Sequence, residues 1–206
     1  MSINDIRQAV LAGDEAGAAS FARAELEAGT PAAEIMDAAL ISAMDEAGAK
    51  MATGELFIPE VLVAADAMKA AMDIISPHLV GDDAASRGTV VIGAVEGDVH
   101  DIGKSLVALM LDGAGFTVID LGVDVSSDAF VAAAAENGAD VVAMSSLMVT
   151  TMPKMKVVIE ALHAADLGAK PIVGGAPLTQ AYADEIGAAG YAPDAGGAVK
   201  LVRELL

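Results

Sequence analysis

The chain has no cysteine, which excludes disulfides and thiolate metal sites but leaves the compartment open. Basic residues are scarce: 11 Lys and Arg stand against 30 Asp and Glu, a formal charge of −19 over 206 residues. Phosphate backbones and anionic lipid surfaces are held by clustered Lys and Arg, so neither nucleic acid nor a membrane is an expected partner. No uncharged apolar run reaches the ~20 residues of a membrane span. The opening MSINDIRQAVLAGDEAG has an early acid and no long apolar core, unlike a signal peptide. The expected compartment is the cytoplasm. Two nucleotide signatures are also missing. Gly93, Gly97 and Gly103 are not spaced as GxGxxG, and no GxxxxGK[ST] loop occurs, which argues against NAD and ATP.

What is present divides into two halves. Hydrophobic residues make up 55% of the chain, with much alanine, which suits closely packed helices. Residues 1–80 show helical spacing and no convincing strand. Ile3, Ile6, Val10 and Leu11 form one helical face, ended by Gly13. Asp14–Ala28 predicts a second helix. Thr30-Pro31 reads as an N-cap followed by proline at the first helical position. It leads into a third helix with Ile35, Met36, Ala39, Leu40, Ala43 and Met44 on one side. A fourth helix is predicted over Ile58–Ile75, so the half reads as a four-helix bundle. Gly81–Gly88 is small and polar, as a linker would be. Residues 89–206 then alternate. Thr89–Val95, Thr117–Leu121, Val141–Met144, Pro171–Val173 and Gly190–Ala192 are short buried-looking runs separated by helical stretches, the last being Gly196–Leu206. That pattern predicts a Rossmann-like, flavodoxin-like domain with five parallel strands and helices on both faces.

The residues able to carry chemistry fall at predicted strand ends, where open α/β sheets bind ligands. After the first strand comes Gly97-Asp98-Val99-His100-Asp101-Ile102-Gly103. Either Asp98 or Asp101 could accept a proton from one imidazole nitrogen of His100, leaving the other as base or metal ligand. Spacing equally admits a plainer role, in which an aspartate caps the Lys104–Gly113 helix and His100 is merely exposed. His78 and His163 lack ligand spacing to His100, which disfavours a zinc site. After the third strand, Ser145-Ser146-Leu147-Met148-Val149-Thr150-Thr151 supplies four hydroxyls. After the fourth comes Gly174-Gly175. Each could be ordinary turn chemistry; together they mark one edge of the sheet as a site for a large ligand.

Asp98-x-His100-x-x-Gly103, Ser145-x-Leu147 and Gly174-Gly175 resemble the DxHxxG…SxL…GG signature of cobalamin-binding domains. The helical half resembles the cap of methionine synthase and of the corrinoid proteins in methylamine, methanol and related methyltransferase systems. The likeness covers nearly the whole chain. It implies a base-off/His-on corrinoid: the benzimidazole tail leaves cobalt and threads into the Rossmann-like domain, and His100 takes the lower axial position. Asp98 would hold the other imidazole nitrogen. Asp101 and Ile102 lie within the motif. Gly103, Gly174 and Gly175 would make room for the tail, and Ser145 and Leu147 would line it. Thr151 stands where methionine synthase has the serine that completes a His–Asp–Ser relay. Met51–Met68, with Gly54, Phe57, Pro59 and Met68, resembles the helix that covers the upper face, and Phe57, Val61, Ala64 and Met68 form one stripe along it.

The resemblance further implies a methyl carrier. Co(I) would accept a methyl group from a substrate-specific methyltransferase acting on a methylamine, methanol, betaine or similar donor. A second methyltransferase would pass it to a thiol or a folate or pterin acceptor, and a reductive activase would restore Co(I). Protonating the His100–Asp98 pair would favour release of the imidazole, and the linker would act as a hinge for the cap. A cobalamin-dependent regulator is the alternative. Such sensors usually add a DNA-binding domain and place a tryptophan over the cofactor; this chain has no tryptophan. Adenosylcobalamin mutase subunits share DxHxxG but generally lack the helical half.

Overall fold

The short β-branched runs after Gly88 all become parallel strands. They are β1 (Thr89–Ala94), β2 (Thr117–Asp120), β3 (Val141–Ser145), β4 (Lys170–Gly174) and β5 (Gly190–Ala192). Their order is β2-β1-β3-β4-β5. The register sets Val91 beside both Ile119 and Val142, and Val142 beside Pro171. Val90, Val91, Val141 and Val142 are wholly buried. Continuous apolar sequence without alternation is the mark of a strand covered on both faces. The covering helices are α6 (Ile102–Gly113), α7 (Ser127–Asn137), α8 (Pro153–Ala164), α9 (Gln180–Ile186) and α10 (Ala195–Leu205). One face packs Val91, Val142 and Val173 against Phe130, Met155, Ile159 and Leu162. The strand order reverses direction between β1 and β3, and the crevice at their carboxyl ends is the switch point of this topology.

The computed structural model describes residues 2–79 and 87–206. The chain divides into two compact units, the N-terminal helices and most of the chain from Arg87 onward. Most of the expected linker, residues 81–86, and with it the expected hinge, lies outside the described residues.

The N-terminal unit begins with α1 (Ile3–Leu11), capped by Ser2, whose side chain accepts from the Asp5 backbone while Asp5 accepts from the Ser2 backbone. Asp14 caps α2 (Glu15–Glu27) through the Gly17 N–H. Three features differ from the reading of the sequence. Thr30 does not cap the next helix: its hydroxyl donates to Glu25 at 2.9 Å, and Pro31 takes the N-cap position of α3 (Ala32–Ile35). The third helix is not uniform either. A π-helical stretch, Met36–Ile41, separates α3 from α4 (Ser42–Ala52). Ile35, Ala39, Leu40, Ala43 and Met44 are buried as expected, but Met36 is only half-buried.

The third difference concerns Met51–Met68, which is not one helix. α4 stops at Ala52, Gly54 takes φ +77°, and α5 (Ile58–Ile75) starts afresh, with the Phe57 N–H donating to Glu60 at 2.8 Å. The stripe is split accordingly: Val61, Ala64 and Met68 are buried, while Phe57 is 67% exposed. Among the described residues no helix is long and apolar enough to cross a membrane.

Candidate functional site

The segment leaving β1 turns at Gly97, which has φ +83°, a conformation glycine adopts without penalty. Asp98 folds back over the turn and is fully buried. Its Oδ1 accepts from the His100 backbone N–H at 3.0 Å and from His100 Nδ1 at 2.8 Å. Its Oδ2 accepts from the Leu147 backbone N–H at 2.7 Å and from the Thr151 hydroxyl at 2.9 Å. The two strand ends flanking the switch point are therefore joined through one carboxylate. Burial opposes ionisation of Asp98. The backbone N–H groups of His100 and Leu147, the imidazole and the Thr151 hydroxyl outweigh it and hold the carboxyl well below the ordinary range. Asp98 is thus an acceptor at neutral pH. Nδ1 is the ring nitrogen that faces Asp98, which leaves Nε2 as the one not engaged with it, and the side chain is 45% exposed.

Of the two aspartates that could serve His100, Asp98 does so and Asp101 does not. Asp101 pairs with Lys104 at 2.9 Å, and its backbone carbonyl accepts from the Ser105 N–H in the first turn of α6. The Lys104 ammonium and the Ser105 hydrogen bond lower its carboxyl. Burial disfavours the charged form of Lys104, but Asp120 and Asp101 prevail and raise its pKa.

Thr151 keeps the hydroxyl position despite its extra methyl, which points its Cγ2 toward Gly97. Ser145 stays in β3, where its carbonyl accepts from Val95, and is not one of the donors to the Asp98 carboxylate. Its neighbour Ser146 does reach that carboxylate. Ser146 is fully buried, 2.7 Å from the Thr151 hydroxyl and 3.3 Å from Asp98 Oδ2. The sequence pattern hides Ser146, because it occupies the variable position of Ser-x-Leu. The pattern also hides Asp124, which adopts φ +54°, accepts the Gly97 N–H at 2.7 Å and donates its own N–H to the Asp98 carbonyl. The available signal is an aspartate in a turn, a residue that tolerates left-handed backbone.

The glycines play different parts. A Cβ at Gly103 would meet open space, and one at Gly174 would lie 3.2 Å from the Ala192 carbonyl. Gly175 has φ +136°, and a Cβ there would fall 1.9 Å from the Ser146 carbonyl oxygen. So Gly175 is required by the backbone itself, and the expectation of tail space alone does not account for it. Around His100 the edge is apolar and exposed: Val99, Ile102, Leu147 and Val149 are 67%, 76%, 46% and 72% exposed. In the other unit, Phe57 stands exposed at the start of α5.

These features fit a corrinoid. A single anchored imidazole presents one further ring nitrogen, a donor set that suits a metal already held by a macrocycle. Among the described residues no three His, Cys, Asp or Glu side chains converge as a protein-made metal site would need. The apolar rim suits a large hydrophobic ring.

Comparison with known proteins agrees. Residues 88–200 match a B12 binding domain model, and residues 2–76 match a second model of the same description. A corrinoid protein of Desulfitobacterium hafniense is 38% identical over 99% of this chain and 97% of its own length. Dimethylamine corrinoid protein 1 of Methanosarcina acetivorans is 47% identical over 84% of this chain and 83% of its own. Among solved structures, the methanol:cobalamin methyltransferase complex of Methanosarcina barkeri superposes with a TM-score of 0.85 at 31% identity, covering 96% of this chain and 76% of that one. The chain belongs to the family of B12-binding corrinoid proteins.

Proposed function

We propose that this protein is a methyl carrier that binds cobalamin base-off, with His100 as the lower axial ligand. When bound, the corrinoid supplies a cobalt centre nucleophilic enough to take a methyl group from an unreactive donor and to release it to an acceptor. The chain's own residues bind and orient. Asp98 fixes the imidazole tautomer so that Nε2 is the donor atom. Thr151 and the Leu147 N–H hold Asp98 in place. Val99, Ile102, Leu147 and Val149 exclude water beside the ring. Gly103 and Gly174 leave room for the tail, lined by Ser145 and Leu147, and Phe57 is a further apolar residue for the corrinoid in this reading. Because Asp98 stays ionised, it is not where a proton taken up by the pair would rest.

The partners in this reading are a substrate-specific methyltransferase, a second methyltransferase with a thiol or folate-type acceptor, and a reductive activase, all cytoplasmic. Relatives named for dimethylamine, and a solved neighbour named for methanol, favour donors of that small class. The observation that carries the proposal is the His100–Asp98–Thr151 chain at the β1/β3 switch point.

The test is EPR of the reconstituted Co(II) protein with isotopically labelled nitrogen. Labelled histidine should give hyperfine coupling that His100→Ala abolishes. Coupling to a labelled benzimidazole would show the tail still on cobalt and overturn the base-off reading.

A further inference from the structure

Lys104 is a buried cation to which the proposed function gives no part. It is the third residue of α6, with its side chain only 2% exposed. A helix N-terminus carries partial positive charge, so a cation in the first turn is disfavoured there. Burial disfavours it again. Its partners explain its position. Nζ lies 2.9 Å from Asp101 Oδ1 and 2.5 Å from both carboxylate oxygens of Asp120. Asp101 directly follows His100 in the chain. Asp120 ends β2, and its Oδ1 also accepts the Gly122 N–H at 2.9 Å.

The opposite end of the same loop is fastened to the same region. Gly97 donates to Asp124, and Asp124 donates to the Asp98 carbonyl. Residues 97–101 are thus tied at both ends to residues 120–124, with Val99 and His100 between the ties. Without Lys104 the second tie is gone, because the Asp101 side chain is 56% exposed and water would solvate it instead.

We propose that Lys104 is a positioning residue: by bridging Asp101 and Asp120 it fixes the main chain of His100, so that the imidazole is already aimed before any corrinoid binds. This rests on the reading of His100 as the axial ligand. The Asp98 bond sets the tautomer, and the Lys104 bridge sets where the ring stands.

The test uses the full chain without corrinoid, by NMR of the His100 ring nitrogens, assigned by their loss in His100→Gln. The wild type should show one tautomer with a slowly exchanging Nδ1 proton. Lys104→Met, which keeps the aliphatic stem, should speed that exchange on the order of tenfold and mix the tautomers. Val202→Ala, a core change in α10, whose Leu205 carbonyl accepts from Lys170 at the start of β4 and so lies at the opposite end of the strands, should lower thermal stability without speeding the exchange. Should Lys104→Met fail to fold, Asp120→Asn decides. It removes one charge of the bridge, retains an acceptor for the Gly122 N–H, and should give an intermediate rate. Wild-type exchange in the folded variants, or equal acceleration in Val202→Ala, overturns the proposal. Absence of histidine coupling in EPR of the loaded wild type would instead overturn the ligand reading, while leaving the NMR contrast intact.

Discussion

Asp98 concentrates the chemistry of the site in one side chain. Both of its oxygens face donors, and none of its surface reaches water. Replacing it with asparagine keeps one acceptor oxygen but turns an amide donor toward another donor, either the Leu147 N–H or the His100 pair. That change should cost about 3 kcal/mol at neutral pH, the scale for hydrogen bonds to a charged group left unmade. The pH dependence has a definite sign. The folded carboxyl lies below its ordinary value of 3.8, so its contribution is complete above that value and is lost as pH falls through the depressed one. The stability gap between wild type and Asp98→Asn, read by urea denaturation, should narrow as pH drops below the ordinary carboxylate range. A constant gap would contradict the assignment. The paired glycines give a second contrast. Gly175→Ala places a left-handed backbone strain and a backbone overlap on one residue, and should destabilise by at least about 3 kcal/mol. Gly174→Ala meets only the Ala192 carbonyl at 3.2 Å, so it should fold well and chiefly weaken corrinoid uptake, measured by titration with cobalamin.

At the scale of elements, the loops after β1 and β2 form one unit of structure. Asp124 joins them with a side-chain acceptor and a backbone donor while sitting at φ +54°. Asp124→Asn keeps both bonds and tolerates that conformation, whereas Asp124→Ala loses the Gly97 bond and is strained. The alanine variant should lose about 2 kcal/mol in urea denaturation, and the asparagine variant much less. Nothing in the linear pattern announced this junction, because Asp124 and Gly97 are 27 residues apart and neither belongs to a periodic run. The strands were legible for the opposite reason: Val-Val-Ile and Val-Val-Ala are apolar on successive positions, which only a doubly covered strand requires. The helix Ile58–Ile75 was legible from its length and from Pro77 just beyond its end. The π-helical stretch was not, since Ala39 and Leu40 within it and Ala43 and Met44 just after it are buried in a pattern that suits an ordinary α-helix. Within the site, Asp98, His100 and Thr151 could be read from one motif and one spacing. Ser146, Lys104 and Asp120 could not, because their roles come from pairing across strands that only the fold brings together.

At the scale of the whole molecule, the surplus of negative charge acts on folding as a body. The 30 acids and 11 bases leave 19 more carboxylates than cations, so most acids have no cation to face one to one. Exposed pairs such as Lys154–Glu96, at 2.6 Å, each contribute about 0–1 kcal/mol and are weakened by salt. In the Lys104 bridge the cation is buried although its partners are partly exposed, so it is screened less than those pairs. Repulsion among the surplus carboxylates is also screened by salt, and it involves more groups than the attractive pairs do. Compaction brings those carboxylates closer than the unfolded chain does, so their repulsion opposes folding. Two opposing salt effects therefore compete, and the surplus decides the sign. Raising NaCl from about 10 mM to about 200 mM shortens the screening length from about 30 Å to about 7 Å, which reaches across most neighbouring surface charges. The urea midpoint should rise over that range. A midpoint that falls would mean that the few ion pairs outweigh the surplus, and that the acidic surface is arranged so that its charges scarcely repel.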